Sequence, residues 1–363
     1  MSIRQVLICC LLACAAFVCA ARPIRYNGDT LEMNKDFTRK QCGTLITKST
    51  MREISGIACS RVTPGYIWME SDDVSNRVIA TTEKGDSCYL SLSLTLATAR
   101  WDWEDMCGGV YDGKNYIFVG AIGDNSETGG EYYIHYFEEP EIPSVAGTRS
   151  RVNASSINFQ YPEGKKNNAE AIMYDNREQM LYVITKKYYK PCQVFSLPFR
   201  LDYGTELQTL TYVCDLGIQE DLGTGTNPDK GFHLVTAADI SPDGKYILIK
   251  NHNNTSEAYS WILMWTREDG ESVSDALQRQ PENLQCYSPE WQGEAMCWLD
   301  STVFYTTSDD DGDPPIYKYT KKSAQGIETL STGEKQRDLV LIDHTLFIRS
   351  KEGLYTMDGK LIK

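Results

Sequence analysis

The chain has 363 residues, with 36 lysines and arginines against 50 aspartates and glutamates, which gives a formal net charge of −14. A surface of that sign repels phosphate backbones, so nucleic acid is excluded as an expected partner. Cations and basic surfaces remain as partners, although an acidic surface that only keeps an extracellular protein soluble explains the charge equally well.

The N-terminus has the pattern of a secretory signal. Arg4 precedes an apolar run at residues 6–18, and small residues up to Ala21 follow it. We therefore predict a cleaved signal peptide at residues 1–21, a secreted, extracellular protein and no membrane span, since the run is shorter than the ~20 residues that a spanning helix needs. The other interpretation is a lipoprotein cleavage site with an acylated Cys14.

Twelve cysteines are present, and four of them lie in the predicted signal peptide. An even set in an exported chain predicts up to four disulfides. Cys192 and Cys214 flank the outer strands of one predicted repeat and are the first expected pair, and Cys286 with Cys297 is a second candidate. Zinc is disfavoured because no C-x-x-C pair exists. The remaining cysteines of the mature chain are Cys42, Cys59, Cys88 and Cys107.

Three asparagines lie in N-x-S/T sequons, namely Asn153, Asn253 and Asn254. Such sequons are acceptors for N-linked glycans in secreted proteins. The sequence therefore predicts a glycoprotein, although sequons also occur by chance in a chain of this length.

Short runs of β-branched and aromatic residues predict an all-β protein. Turn residues such as Asp112-Gly113 bound each run, and no amphipathic helix longer than about two turns stands out. The runs occupy residues 66–69, 116–119, 181–184, 246–249, 303–306 and 346–348.

These runs belong to a longer repeat. A short segment with a small residue and an aliphatic residue precedes each of the first five runs. These segments start at positions 53, 104, 170, 236 and 294, which are 51 to 66 residues apart. Such a period, with about four strands per repeat, is typical of propeller blades. We predict a six-bladed β-propeller over residues 42–363 after an N-terminal extension at 22–41. An N-terminal strand at 44–47 would close the sixth blade, which begins near Arg337. In the five-bladed alternative, residues 337–363 only cap the ring.

Ordered motifs lie at residues 53–58, 100–105, 120–125, 168–171, 235–244 and 292–295. In their order and spacing they resemble a family of secreted β-propellers that is common in bacteria. This family is loosely similar to esterase-like, phytase-associated propellers and to gluconolactonase and paraoxonase-type propellers. The match covers about residues 50–320 and implies the propeller fold, but it implies little about activity, because propellers host hydrolases, binding modules and scaffolds alike.

Repeated acidic residues predict a site in the central channel. Glu53, Glu104, Glu170 and Glu294 share one repeat position, and like charges so close need a counter-charge. A calcium ion would supply it, with Asn168 as a further oxygen ligand, and this set resembles the calcium centre of lactonase-type propellers. The alternative is that the glutamates brace neighbouring blades by accepting hydrogen bonds from backbone N–H groups.

Two functions follow from these patterns. The first is an extracellular binding or matrix-associated module whose partner is a protein, the matrix or a small molecule, with calcium as the one expected cofactor. The alternative is a metal-dependent hydrolase of lactones or esters, with His252 as the candidate base. The acidic run at residues 309–313 lacks the spacing of an EF-hand and is read as a solvated turn.

Overall fold

The computed structural model describes residues 32–45, 53–73, 76–97, 102–187, 191–216, 234–252, 260–284, 290, 292–309, 313–322, 338–342, 345–350, 353–356, 360 and 362. The chain divides into two compact units, one that ends at Lys321 and one that begins at Lys322. The predicted signal peptide, Asn253, Asn254 and Cys286 lie outside the described residues. In the described ranges, no helix is long and apolar enough to cross a membrane.

The first unit consists of five sheets, which we number as blades one to five. β1 (Phe37–Thr44) belongs to the last of them. Blade one is formed by β2 (Ile54–Cys59), β3 (Tyr66–Ser71), β4 (Arg77–Thr82), β5 (Leu90–Thr95) and a later strand, β9 (Thr148–Asn153). Blade two is formed by β6 (Trp103–Tyr111), β7 (Lys114–Ala121), β8 (Tyr132–Glu138), β10 (Ser155–Gln160) and β14 (Gln208–Thr209).

The other three blades have four strands each. Blade three is formed by β11 (Ala169–Asp175), β12 (Met180–Thr185), β13 (Cys192–Pro198) and β15 (Thr211–Leu216). Blade four is formed by β16 (Leu234–Ile240), β17 (Tyr246–His252), β18 (Ser260–Thr266) and β19 (Glu282–Asn283), with the short helix α1 (Val273–Leu277) before β19. Blade five is formed by β20 (Ala295–Asp300), β21 (Val303–Thr307), β22 (Pro315–Lys321) and β1.

The blades close into a ring of five. The innermost strands β2, β6, β11, β16 and β20 each contact the next, and β20 contacts β2. Five hydrophobic clusters lie between neighbouring blades, one at each seam of the described unit. The propeller prediction is confirmed, with five blades as in the alternative, and the prediction of six blades is wrong.

The N-terminal strand does close the ring, but in a different place from the one predicted. β1 pairs antiparallel with β22, from Phe37 opposite Lys321 to Thr44 opposite Pro315. The closing strand is therefore Phe37–Thr44 and completes blade five, whereas the sequence predicts residues 44–47 in a sixth blade. Closure of this kind pairs a strand edge that would otherwise be exposed.

The second unit is a three-stranded antiparallel sheet. It consists of β23 (Asp338–Ile342), β24 (Thr345–Ser350) and β25 (Gly353–Thr356), in that order. The sequence predicts the middle one of these strands, since the run at residues 346–348 lies within β24. The three strands form a sheet of their own and do not take up the N-terminal strand.

Local sequence explains the hairpins that set the register. Tyr111 pairs with Lys114 across the two-residue loop Asp112-Gly113, whose residues have φ of 48° and 73°. Left-handed conformations at both loop positions define a type I′ turn, for which Asp-Gly is a preferred sequence. The turn fixes which residues of β6 face the channel.

Candidate functional site

One repeated irregularity marks the start of the innermost strands. In four blades the ladder between the first and second strands skips a single residue, and in blade five Glu294 directly precedes β20. A β-bulge of this kind leaves its residue unpaired and turns the side chain away from the regular ladder. The residues at this position are Ser55, Glu104, Glu170, Thr236 and Glu294.

This register changes one member of the predicted set. Ser55 occupies the blade-one position, and Glu53 lies two residues earlier, before the strand, with a left-handed φ of 49°. The Ser55 hydroxyl donates a 2.7 Å hydrogen bond to the Glu104 carbonyl oxygen and lies 3.5 Å from Glu294 Oε2. The bulge positions therefore bring together three carboxylates and two hydroxyls.

Glu170 is paired within the protein. Its Oε2 accepts a short hydrogen bond from Lys186 Nζ, and its Oε1 accepts one of 3.2 Å from Asn168 Nδ2. Asn168 is engaged at both ends, because its Oδ1 accepts from the Asp124 backbone N–H at 2.7 Å. Burial opposes the charge of Lys186, but Glu170, Glu294 and Glu104 outweigh burial and raise the pKa of its ammonium group.

Glu104 and Glu294 have no such partner of their own. Their residues are 6% and 9% exposed, and among the described residues no donor reaches the Glu104 carboxylate. Burial, the Glu170 carboxylate and Asp102 raise the pKa of Glu104 well above its usual range. Burial and neighbouring acids raise the pKa of Glu294 to about 8, although Lys186 opposes the rise.

Gly123 makes room for two of these acids. A Cβ atom at position 123 would lie 2.1 Å from Glu104 Oε1 and 2.5 Å from Asp102 Oδ2. Any larger residue would collide with both carboxylates, so the glycine lets them approach each other. We call Asp102, Glu104, Glu170, Lys186 and Glu294 the channel mouth.

Glu53 belongs to a second acidic group beside the mouth. One carboxylate oxygen of Glu53 lies within 4.8 Å of one oxygen of Asp72 and of one oxygen of Asp73. Burial, Asp309, Glu53 and Asp73 raise the pKa of Asp72 to about 7. Asp72 and Asp309 also raise the pKa of Glu294, so the second group and the mouth share one negative field.

Glu70 is an acid of the channel that the sequence analysis missed. It lies on β3, its residue is fully buried, and neither carboxylate oxygen has a hydrogen bond of normal geometry in the described part of the chain. Burial, Asp72 and Glu294 raise its pKa well above the usual range, and only the nearby Gly56 N–H opposes this. A charged residue within an apolar strand is the signal that was available.

Bracing by carboxylates does occur, but it is provided by two aspartates and not by the predicted glutamates. Asp105 Oδ2 accepts from the N–H groups of Ile172 and Ala238 at 2.9 and 3.4 Å, which joins blade two to blades three and four. Asp239 Oδ2 accepts from Trp298 N–H at 2.7 Å and joins blade four to blade five. These two aspartates perform the role that the bracing alternative assigned to the glutamates.

The other candidate residues from the sequence either lie away from the channel mouth or lie outside the described residues. The backbone of His252 ends β17 opposite Leu234 and Ser260, but its side chain is outside the described residues, so its role as a base stays a prediction. Asp309 accepts 3.1 Å from Gln292 Nε2, and residues 310–312 are not among those described. Asn153 is exposed at the end of β9, where a glycan has room.

The two cysteines of the expected disulfide in blade three, Cys192 and Cys214, do not lie directly opposite each other on their strands. Cys214 lies opposite Val194 and Cys192 opposite Leu216, so the two cysteines are diagonal neighbours, and both are thiols here. Diagonal neighbours are typically about 7–8 Å apart, beyond the usual Cα separation of a disulfide. The pairing stays a prediction, and this register weakens it.

The chain is therefore a five-bladed β-propeller with an acidic channel mouth. No family model matches it, and no curated protein matches it either. Similar solved structures include a PQQ-bound aldose sugar dehydrogenase from Streptomyces coelicolor, with a TM-score of 0.39, 9% identity and coverage of 82% of this chain and 99% of that one. Another is Kuenenia stuttgartiensis hydrazine synthase, with a TM-score of 0.35, 10% identity and coverage of 85% and 78%. Likeness at this level carries no functional argument.

Proposed function

We propose that this protein is a secreted binding propeller whose channel mouth binds a calcium ion. The observation that carries the proposal is the imbalance of charge at the mouth, where, within the described ranges, Glu104, Glu170 and Glu294 face one ammonium group, that of Lys186. Buried carboxylates without a counter-charge are costly, and a bound cation removes that cost.

The side chains at the mouth offer carboxylate oxygens, the type of ligand that calcium prefers. Calcium takes six to eight oxygen ligands, mostly carboxylates, carbonyls and water. Glu170 and Asn168 already have protein partners, so Glu104 and Glu294 are the carboxylates that remain for an ion, with Asp102 beside Glu104 over Gly123. The site would complete its ligands with water, which suits the weak affinities of extracellular calcium modules, about 10⁻⁴–10⁻³ M.

Lys186 sets how strongly the mouth competes for a cation. Its ammonium group already neutralises one of the three glutamates, and its side chain is only 10% exposed. An internal cation of this kind keeps the ion-free protein folded and weakens ion binding through charge repulsion. We therefore expect reversible binding that responds to the calcium concentration of the surroundings.

A calorimetric calcium titration of the mature protein tests the proposal. We expect one site in the wild type, an affinity weakened roughly tenfold or more by Glu294→Gln, and one strengthened roughly tenfold by Lys186→Gln, because these changes remove a ligand and a repelling charge.

Glu138→Gln is the matched control, since Glu138 is an exposed carboxylate whose partner is the exposed Lys114. It should leave the affinity unchanged. Absence of heat in the wild type, or equal affinities in all four proteins, would overturn the proposal.

One observation favours the hydrolase alternative. A carboxyl group with a pKa near 8, as for Glu294, is suited to transfer protons at neutral pH. A panel of esters and lactones, assayed with and without chelator, separates the two functions. Turnover that requires both calcium and Glu294 would support the hydrolase, and no turnover with intact calcium binding supports the binding module.

A further inference from the structure

The seam between the first and last blades holds two cysteines in contact. Cys59 ends β2 in blade one, Cys297 lies on β20 in blade five, and their Sγ atoms are 3.4 Å apart. Both residues are buried, at 6% and 1% exposed, within the hydrophobic cluster of this seam. Residues 238 positions apart in the sequence thus meet where the ring closes.

This seam is held differently from its neighbours. Asp105 joins blade two to blades three and four, and Asp239 joins blade four to blade five, each through backbone N–H groups. Glu139 of blade two accepts from Ser60 and Trp68 of blade one. Between blades five and one, the described residues offer no buried carboxylate that accepts from a backbone N–H group across the seam.

We propose that Cys59 and Cys297 form a disulfide that locks the propeller ring. The two sulfur atoms, 3.4 Å apart, would need to approach by about 1.4 Å to reach a normal S–S bond. The bond would cross-link the first and last blades covalently, in addition to the hydrophobic cluster of this seam and the pairing of β1 with β22.

The chemistry is ordinary thiol–disulfide exchange. A disulfide oxidant is attacked by one cysteine thiolate and releases one thiol, and the second cysteine then attacks the mixed disulfide and releases the other. The two protein thiols lose two electrons and two protons, and the oxidant is reduced to two thiols. The predicted export route leads through compartments that contain such oxidants.

Burial indicates when the bond would form. Burial and the neighbouring Cys59 raise the pKa of the Cys297 thiol well above its usual range, so the folded protein holds little of the reactive thiolate. Oxidation should therefore accompany folding, before the seam closes, and the finished bond should resist mild reductants. This pairing also competes with the Cys286–Cys297 pair that the sequence suggested.

Peptide mapping without reduction tests the pairing on the unmodified chain. The protein is refolded with oxidised and reduced glutathione, the remaining thiols are blocked, and the digest is analysed by mass spectrometry. We expect a cross-linked peptide that contains Cys59 and Cys297. Both cysteines blocked as thiols, or Cys297 linked to Cys286 or to another cysteine, would overturn the proposal.

Melting curves give an independent test. Cross-linking over so long a loop should raise the melting midpoint by about 8 °C relative to the reduced protein. In the Cys59→Ala/Cys297→Ala double variant, a reductant strong enough to reduce the wild type should no longer have this effect. Cys107→Ala is the control, since Cys107 is equally buried on the innermost strand of blade two, and it should keep the wild-type response. An equal response in the wild type and the double variant would contradict the lock.

Discussion

Glu104 and Asp105 are neighbours in the sequence, both are buried, and they differ in what surrounds them. The Asp105 carboxylate accepts three backbone N–H groups, from Met106, Ile172 and Ala238. Burial raises the pKa of both carboxyl groups well above the usual range, but the backbone N–H groups oppose the rise at Asp105, whereas Glu170 and Asp102 add to it at Glu104. Burial alone therefore does not decide the role of a channel carboxylate, and its partners do.

The same difference recurs between blades four and five. Asp239 accepts from the N–H groups of Ile240 and Trp298, whereas among the described residues Glu294 has a distant Ser55 hydroxyl, the charge of Lys186 and a field of other acids. The two aspartates thus hold the blades together, whereas the carboxylates of the mouth accumulate charge. The proposed calcium site and the bracing of the ring are separate features, although the sequence presented them as alternatives.

The largest loss of stability should come from removing the bracing carboxylate of Asp105. Asp105→Ala leaves backbone N–H groups of three blades without their acceptor, and such buried losses are costly. We expect the free energy of unfolding to fall by about 3 kcal/mol, which lowers the melting midpoint by about 5 °C or more. The loss should be the same in calcium and in chelator. A loss that calcium repairs would place Asp105 in the ion site instead.

A smaller effect should appear in the pH dependence of the mouth. The pKa of Glu294 is about 8 in the folded protein and that of Asp72 is about 7, both above their ordinary values. The folded state therefore holds protons that the unfolded state has lost, and stability in chelator should fall as pH rises from about 4.5 to about 8. Bound calcium replaces these protons, so its stabilising effect should grow over the same window.

Melting curves in calcium and in chelator, recorded at about pH 5.5 and about pH 8, check this prediction. Glu294→Gln should flatten the pH dependence in chelator, whereas the control Glu138→Gln should leave it unchanged. A calcium effect that is equal at both pH values, or larger in acid, would contradict the account.

The strands were predictable because their signals are local. The Asp112-Gly113 loop predicts its own type I′ turn, and apolar runs bounded by turn residues predict the strands beside it. The number of blades was not predictable in the same way. It depends on β1 pairing with β22, where Thr38 and Thr320 meet across 282 residues of sequence.

The candidate site was predictable in part. Glu104, Glu170 and Glu294 do share a position. Glu53 does not share it, because the bulge of β2 lies at Ser55, and this register could not be read from the sequence. Glu70 lies on the second strand of blade one, Lys186 directly follows the second strand of blade three, and neither carries a repeat signal. They reach the channel because of the packing around them, and for Glu70 the missing side chain of Gly56 leaves the space that its carboxylate fills.

The most direct test compares the adjacent carboxylates in one experiment. Melting midpoints are measured for the wild type, Glu104→Gln and Asp105→Asn, each with calcium and with chelator. We predict that calcium raises the wild-type midpoint by several degrees, that Glu104→Gln loses this response without losing stability in chelator, and that Asp105→Asn melts lower in both conditions and keeps the response. A wild type that does not respond to calcium, or a Glu104→Gln variant with the full wild-type response, would contradict the claim that the mouth binds the ion.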